Sequence, residues 1–328
     1  MSDNERTAVS IDTPPPTGPR GTKRRLRRVF VGAHGLRAGW GVTLFLLLAF
    51  GVALGLARLL TLWIARPALH KGVPVGFLLP MECAQVAGVL VATLVLARVE
   101  RLSPLDYGLR DTAAAGRFLW GMLCGFAALS ALMLLLWQAG FVTLRLSAGG
   151  AAETARLGVL WLLAYLMTGV FEETLLRGYL QFALARGVGF WWGALVLSVL
   201  FGALHGKNPD ETWVGLVTAM LAGFVFCVSL WYTGSLWWAI GFHATWDWSE
   251  SFFFGTSNSG LKTIGSLLVA HPQGDVLLSG GVTGPEGSVL VLVLLPLVIV
   301  LMWARWRRQR SQRFAGTGWR PAVAGARG

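Results

Sequence analysis

Apolar runs long enough to cross a bilayer recur along this chain, and that recurrence leaves few architectures open. A spanning helix needs about 17 to 25 predominantly apolar residues. Runs of this kind lie near residues 40–64, 75–97, 118–141, 157–176, 190–205, 213–231, 235–254 and 289–303. In lipid every backbone polar group has to be bonded within the protein, so runs of this length fold as helices. The sequence therefore predicts an all-α fold, a polytopic membrane bundle of about eight transmembrane helices. Composition supports this: 55% of the 328 residues are hydrophobic and 13% are charged, against roughly 25% charged in soluble domains.

The net charge of +12 bears on orientation more than on partners. Basic residues concentrate in "TKRRLRR" (22–28) and "ARWRRQRSQR" (304–313), each beside an apolar segment. That placement reads as anchoring to an anionic cytoplasmic face. An even number of crossings with both termini cytoplasmic also puts the loop bearing Arg98, Arg101, Arg110 and Arg117 inside. No nucleic-acid partner is expected, since neither arm interleaves aromatics with base-reading side chains in a folded module; membrane lipids are the expected surroundings. The Pro-, Arg- and Gly-rich start reads as a disordered cytoplasmic tail. The chain divides into a basic tail (1–38), a multi-span domain (39–305) and a second basic tail (306–328). Cys83, Cys124 and Cys227 lie in apolar runs without CxxC spacing and read as packing residues. A Gly- and Ser-rich outer connection, 255–286, holds short apolar pieces that are either re-entrant or a cap on the bundle.

The stretch "VFEETLLRGY" (170–179) puts two adjacent carboxylates directly behind an apolar run. A charge held away from water costs several kcal/mol in order of magnitude unless it is paired or used. On a helix, Glu173 stacks under Arg177 in the favourable Glu-before-Arg order, while Glu172 turns away. Tyr165, Thr168 and Tyr179 share the face of Glu172 and form a polar stripe expected to face the bundle interior. The same spacing pairs Phe201 with His205 in "FGALH" and His243 with Asp247 in "HATWD". Counted at about 1.5 Å per residue from the cytoplasmic helix ends, Glu172, His205, His243 and Asp247 reach a shared layer. A carboxylate with two histidines in a water-poor cavity suits hydrolysis. Glu82, early in the second run, reads as interfacial. The Trp residues at 237, 238, 246 and 248 read as interfacial and packing aromatics, and His34, His70 and His271 get no role.

"EETLLR", "FGALH" and "HATWD", in this order on successive predicted helices, resemble the EExxxR, FxxxH and HxxxN/D motifs of the CAAX-protease and bacteriocin-processing (Abi) family of intramembrane endopeptidases. The resemblance covers about 116–247, with weaker family-like stretches in "SPLDYGLR" and "LLSGGVTGPEGS". It implies that Glu172 and His205 activate a water, that Glu173 and Arg177 brace the site, and that His243 and Asp247 stabilise the oxyanion. An Asn donates a hydrogen bond there, whereas Asp247 does so only when protonated, so metal ligation or orientation of His243 is an alternative role for it. Glu172, His205, His243 and Asp247 are the candidate ligands if a divalent metal such as zinc is used, although HExxH spacing is absent. The implied partner is a peptide or protein substrate at the membrane. A transporter and a non-catalytic membrane scaffold with an intramembrane polar site are the alternatives.

Overall fold

The computed structural model describes residues 31–32, 35–68 and 71–308. The two expected tails fall almost wholly outside the described residues, as do His34 and His70. All eight apolar runs are helical: α1 (Ala38–Leu60), α2 (Val75–Glu100), α3 (Ala114–Gln138), α4 (Ala151–Glu173), α6 (Phe190–His205), α7 (Trp213–Thr233), α8 (Trp237–Trp248) and α9 (Val291–Trp306). Between α4 and α6, a π-helical segment (Thr174–Leu180) leads into α5 (Gln181–Val188). The protein is a helical membrane bundle. Among the described residues, five helical runs are long and apolar enough to cross a membrane: α1, α2, α3, the combined run Ala151–Val188, and α7. α6 and α9 are shorter apolar helices of 16 residues each. α8 keeps α-helical form for 12 residues before a π-helical turn, Ser249–Phe253, takes over.

Local chemistry sets the boundaries. Pro74 precedes α2, where its fixed φ suits entry into a helix. The Thr212 hydroxyl accepts from the Gly215 amide at the start of α7, and Gly234, at φ 66°, closes its end in the left-handed conformation that glycine adopts without a Cβ clash.

α8 is the central element, packed between α3 and α4, with α2 against the far side of α4 and α1 outside α2. α6, α7 and α9 form the second side, α6 and α9 both packing on α7. α6 also meets α5 but hardly touches α2 or α4, which leaves a gap beside it. Lipid supplies no hydrophobic force between helices, so close approach through small residues takes its place. Gly121 and Gly125, one turn apart on α3, face Gly241 on α8. A Cβ on Gly121 would strike the Trp238 carbonyl, one on Gly125 the Phe242 carbonyl, and one on Gly241 the Phe118 carbonyl. Thr245 exploits this proximity, donating to the Met122 carbonyl of α3 at 2.8 Å.

The connection after α8 caps one end of the bundle. Strand Leu268–Pro272 pairs antiparallel with strand Val142–Leu146, the segment after α3, with Thr143 opposite His271. The Asn208 amide donates to the Ser259 carbonyl, and the Thr283 hydroxyl donates to the Asp210 carbonyl, both at 2.8 Å. Val73 bridges to Thr263. The loops after α1, α3 and α6 are thus stitched to this one cap. At the other end, the Leu236 amide donates to the Gly108 carbonyl at 2.9 Å. Of the three cysteines, all free, Cys227 is buried, Cys124 half-buried and Cys83 exposed on the outside of the bundle.

Enlarging either side of the α3–α8 contact should separate the helices. Gly241→Val is expected to cost about 1–3 kcal/mol or more through overpacking against backbone, whereas Gly39→Val on α1, where no atom lies within 4 Å of an added Cβ, should be tolerated. Thermal unfolding in detergent micelles, comparing the two variants, checks this.

Candidate functional site

The site begins where α4 gives way to the π-helical turn. Glu173 is the last residue of α4, and Glu173 and Arg177 are fully buried, with Arg177 Nη1 donating to Glu173 Oε1 at 3.2 Å. The i,i+4 pairing expected from "EETLLR" is therefore present. The guanidinium lies 4.6 Å from the centre of the Phe201 ring and 5.4 Å from that of Phe226, so two aromatic faces supply some of the solvation that water would give. Glu173 is shared: its Oε1 also lies 3.0 Å from His243 Nδ1. This hydrogen bond leaves His243 Nε2 directed at two further carboxylates, Glu172 Oε2 at 3.6 Å and Asp247 Oδ2 at 3.5 Å. Phe226 stacks on the imidazole at 5.3 Å.

His205 closes the other wall. Its Nδ1 donates to the Phe201 carbonyl at 2.8 Å, so in the neutral tautomer Nε2 is the acceptor. Phe201 meets both imidazoles edge-on, His205 at 4.7 Å and His243 at 6.0 Å. One ring thus contacts Arg177, His205 and His243, which gives the Phe of "FGALH" a physical reason to be where it is.

Glu172, His205, His243 and Asp247 all line one cavity of about 240 Å3 between α2, α4, α6, α7 and α8. Of the predicted stripe, Tyr165 and Thr168 line it too, and Tyr165 donates to the Ser251 hydroxyl at 2.6 Å. Tyr179 does not. The π-helical segment takes more residues per turn than an α-helix, and Gly178 breaks from helical geometry at ψ −124°. The face is carried round, and Tyr179 instead donates to Glu100 at 2.8 Å, beside the Arg186 guanidinium that pairs with the same carboxylate.

Glu82, expected at the interface from its position early in the second run, is buried within the protein. It is 7% exposed and lines the cavity. The cap contributes residues that the sequence did not single out. Asn258, Ser259 and Glu286 all face the cavity, with the Glu286 carboxylate accepting from Trp246 Nε1 at 2.8 Å and from the Ser259 hydroxyl. The stretch "LLSGGVTGPEGS" contained Glu286 in a Gly-Pro-Glu-Gly turn, but nothing in its spacing links it to helices forty or more residues away. Nearby, outside the spans, burial pushes the Glu211 carboxyl up to about 7, the neighbouring Glu286 charge adding to the shift. Trp246 and Trp238 are buried, and Trp248 Nε1 donates to the Gly158 carbonyl at 2.9 Å, so these three serve packing and positioning.

The zinc alternative can be tested against the donors as they are placed. Among the described residues no group of three or more His, Cys, Asp or Glu is disposed to hold a metal ion. His243 Nδ1 is turned to Glu173, and the Asp247 carboxyl lies next to the Asn258 side chain as well as His243. As these side chains are placed, they do not form such a group.

Residues 154–249 match the family model Rce1-like, described as type II CAAX prenyl endopeptidase Rce1-like. The matched segment contains Glu172, Glu173, Arg177, His205, His243 and Asp247, and it bears out the family resemblance of the three motifs. No curated protein and no solved structure matches the chain.

Removing the Arg177 guanidinium leaves Glu173 as an uncompensated charge in a dry interior, at a cost of about 3–5 kcal/mol. Arg177→Ala is expected to lower Tm and expression together. A variant that kept wild-type stability would show that Glu173 finds its compensation elsewhere.

Proposed function

On the premise that residues 154–249 form the core of a CAAX-prenyl-endopeptidase-like protein, we propose that this multi-pass membrane protein is an intramembrane endopeptidase. It hydrolyses a peptide bond in a membrane-proximal peptide or protein by means of a water activated by Glu172 and His205. The observation that carries this reading is the single cavity into which three helices bring Glu172, His205, His243 and Asp247.

In this reading, the Glu172 carboxylate takes a proton from the water while His205 Nε2 accepts the water's other hydrogen and orients it. The oxygen adds to the scissile carbonyl carbon, and the carbonyl becomes an oxyanion. In the doubly protonated ring, His243 Nδ1–H donates to Glu173 and Nε2–H donates to that oxygen. Asp247 lies on the Nε2 side at 3.5 Å and orients the imidazole. The amide that an Asn at 247 would supply comes instead from Asn258, whose side chain lies beside the Asp247 carboxyl and lines the same cavity. Glu172 returns its proton to the leaving amine, and the C–N bond breaks.

Eight crossings with both termini cytoplasmic remain the reading of the charge pattern, and the cap supports it. Alternating crossings place the segments after α1, α3, α6 and α8 on one side, and these are the segments that pair with one another. The basic loop with Arg98 and Arg101 then lies opposite, on the cytoplasmic side. The cavity, walled partly by Asn258, Ser259 and Glu286 of the cap, is nearer the non-cytoplasmic face.

Glu172→Gln is expected to lower kcat for peptide cleavage at least about 10²-fold with the fold intact, since a positioned general base typically contributes that much. Asn258→Ala should reduce kcat by about 10²-fold or more while leaving KM little changed, as loss of an oxyanion donor does. Asp247→Asn should retain activity. Metal analysis of purified protein alongside that variant provides the counter-test: stoichiometric metal lost together with activity would defeat the water-only reading. For topology, a protease site inserted after Gln273 should be cut in intact cells or spheroplasts, and one inserted after Arg101 should be protected; the reverse pattern would invert the orientation.

A further inference from the structure

The charges lining the cavity do not balance. Four carboxylates face it, Glu82, Glu172, Asp247 and Glu286, and among the described residues neither Lys nor Arg does. Arg177 stands behind the wall, committed to Glu173. Glu286 is held by Trp246 and Ser259, and Asp247 and Glu172 face His243. Glu82 is different. It projects from α2 into the gap beside α6, 7% exposed, and although Gln85 reaches its carboxyl, Oε2 has no partner among the described residues. The charges nearest to it are those of Glu172, Asp247 and His243, so its surroundings are mostly of its own sign. A carboxylate is rarely kept at membrane depth without a partner or a use, and the water-activating machinery described above does not employ this one.

We propose that Glu82 anchors a subsite for a cationic side chain, Lys or Arg, of the substrate segment lying beside the scissile bond. This rests on the endopeptidase reading and deepens it. The cavity is lined largely by apolar side chains such as Leu78, Leu204 and Phe242, which suit the alkyl stem of such a residue, while the carboxylates receive its charged head. A substrate carrying that charge brings with it the compensation the protein lacks. A neutral segment leaves Glu82 unpaired or forces it to take up a proton, and an acidic one is repelled.

The test uses full-length protein in nanodiscs with matched hydrophobic peptides that differ at one residue near the cleaved bond, as Lys, norleucine or Glu. Wild type should cleave the Lys peptide with kcat/KM at least about tenfold above the norleucine peptide, as expected for a desolvated charge pair. Glu82→Gln should bring that ratio toward one, Glu82→Asp should preserve it, and Glu82→Lys should favour the Glu peptide. A wild-type ratio near one, or a ratio unchanged in Glu82→Gln, overturns the proposal; the latter result with a uniform fall in kcat would make Glu82 a proton relay instead. Binding of the same peptides to Glu172→Gln protein separates this inference from the endopeptidase reading. If wild type cleaves none of the peptides, the endopeptidase reading fails, and Lys-over-norleucine binding lost on adding Glu82→Gln still upholds the subsite. Equal binding of the two peptides rejects it.

Discussion

A guanidinium buried beyond the reach of water has to be neutralised by the protein around it, and the placement of Arg177 organises the bundle interior. Its charge is met by Glu173 from the preceding turn and by the faces of Phe201 and Phe226 from α6 and α7. Glu173 in turn holds His243 of α8. Four helical elements are thereby fixed relative to one another by a single charge, because moving any of them would expose an ion in a medium where exposure costs several kcal/mol. The ring that satisfies Arg177 is also the ring against which both candidate catalytic imidazoles rest, so compensation of the brace and positioning of the histidines are one structural event.

The backbone follows the same logic. The carboxylates sit at the end of a regular helix, and the π-helical turn that follows allows Arg177 to fold back on Glu173 while Tyr179 leaves the site for Glu100. α8 approaches α3 closely through Gly121, Gly125 and Gly241, and α4 closely through Gly169, whose added Cβ would lie 3.1 Å from the Ile240 carbonyl, so the His243–Asp247 helix is held between the two. Side-chain chemistry that depends on distances of 3 to 4 Å needs helices that cannot drift, and backbone-to-backbone contact provides this where the hydrophobic effect does not operate.

Much of this was legible in the sequence because helix periodicity makes local relations certain. The Glu173–Arg177 stacking, the shared face of Tyr165, Thr168 and Glu172, and the i,i+4 pairs Phe201–His205 and His243–Asp247 all follow from residues counted along single helices. Relations that cross between helices, or that depend on an irregular turn, were not legible. Glu82 looked interfacial because it stands near the start of its apolar run, yet the gap beside α6 admits it to the cavity. Tyr179 was assigned to the wrong face because nothing in "LLRGY" marks a π-helical turn. Asn258 and Glu286 lie in a Gly-rich connection without periodicity, so no count along the chain could bring them to α7 and α8. Helix length shows the same limit: every apolar run is a helix and α6 spans the run 190–205 as expected, but α8 keeps α-helical form only over Trp237–Trp248 of the run 235–254.

The cap has a consequence for the order in which the protein becomes complete. Glu173 and Arg177 are synthesised more than a hundred residues before Glu286, and the cavity's outer wall is finished only when the cap has docked on the loops after α1, α3 and α6. During synthesis the helices that carry the glutamates and histidines are therefore in the membrane beside an unfinished chamber open to water. The growing chain thus carries those side chains before the space they line is enclosed, and closure waits for the segment after α8.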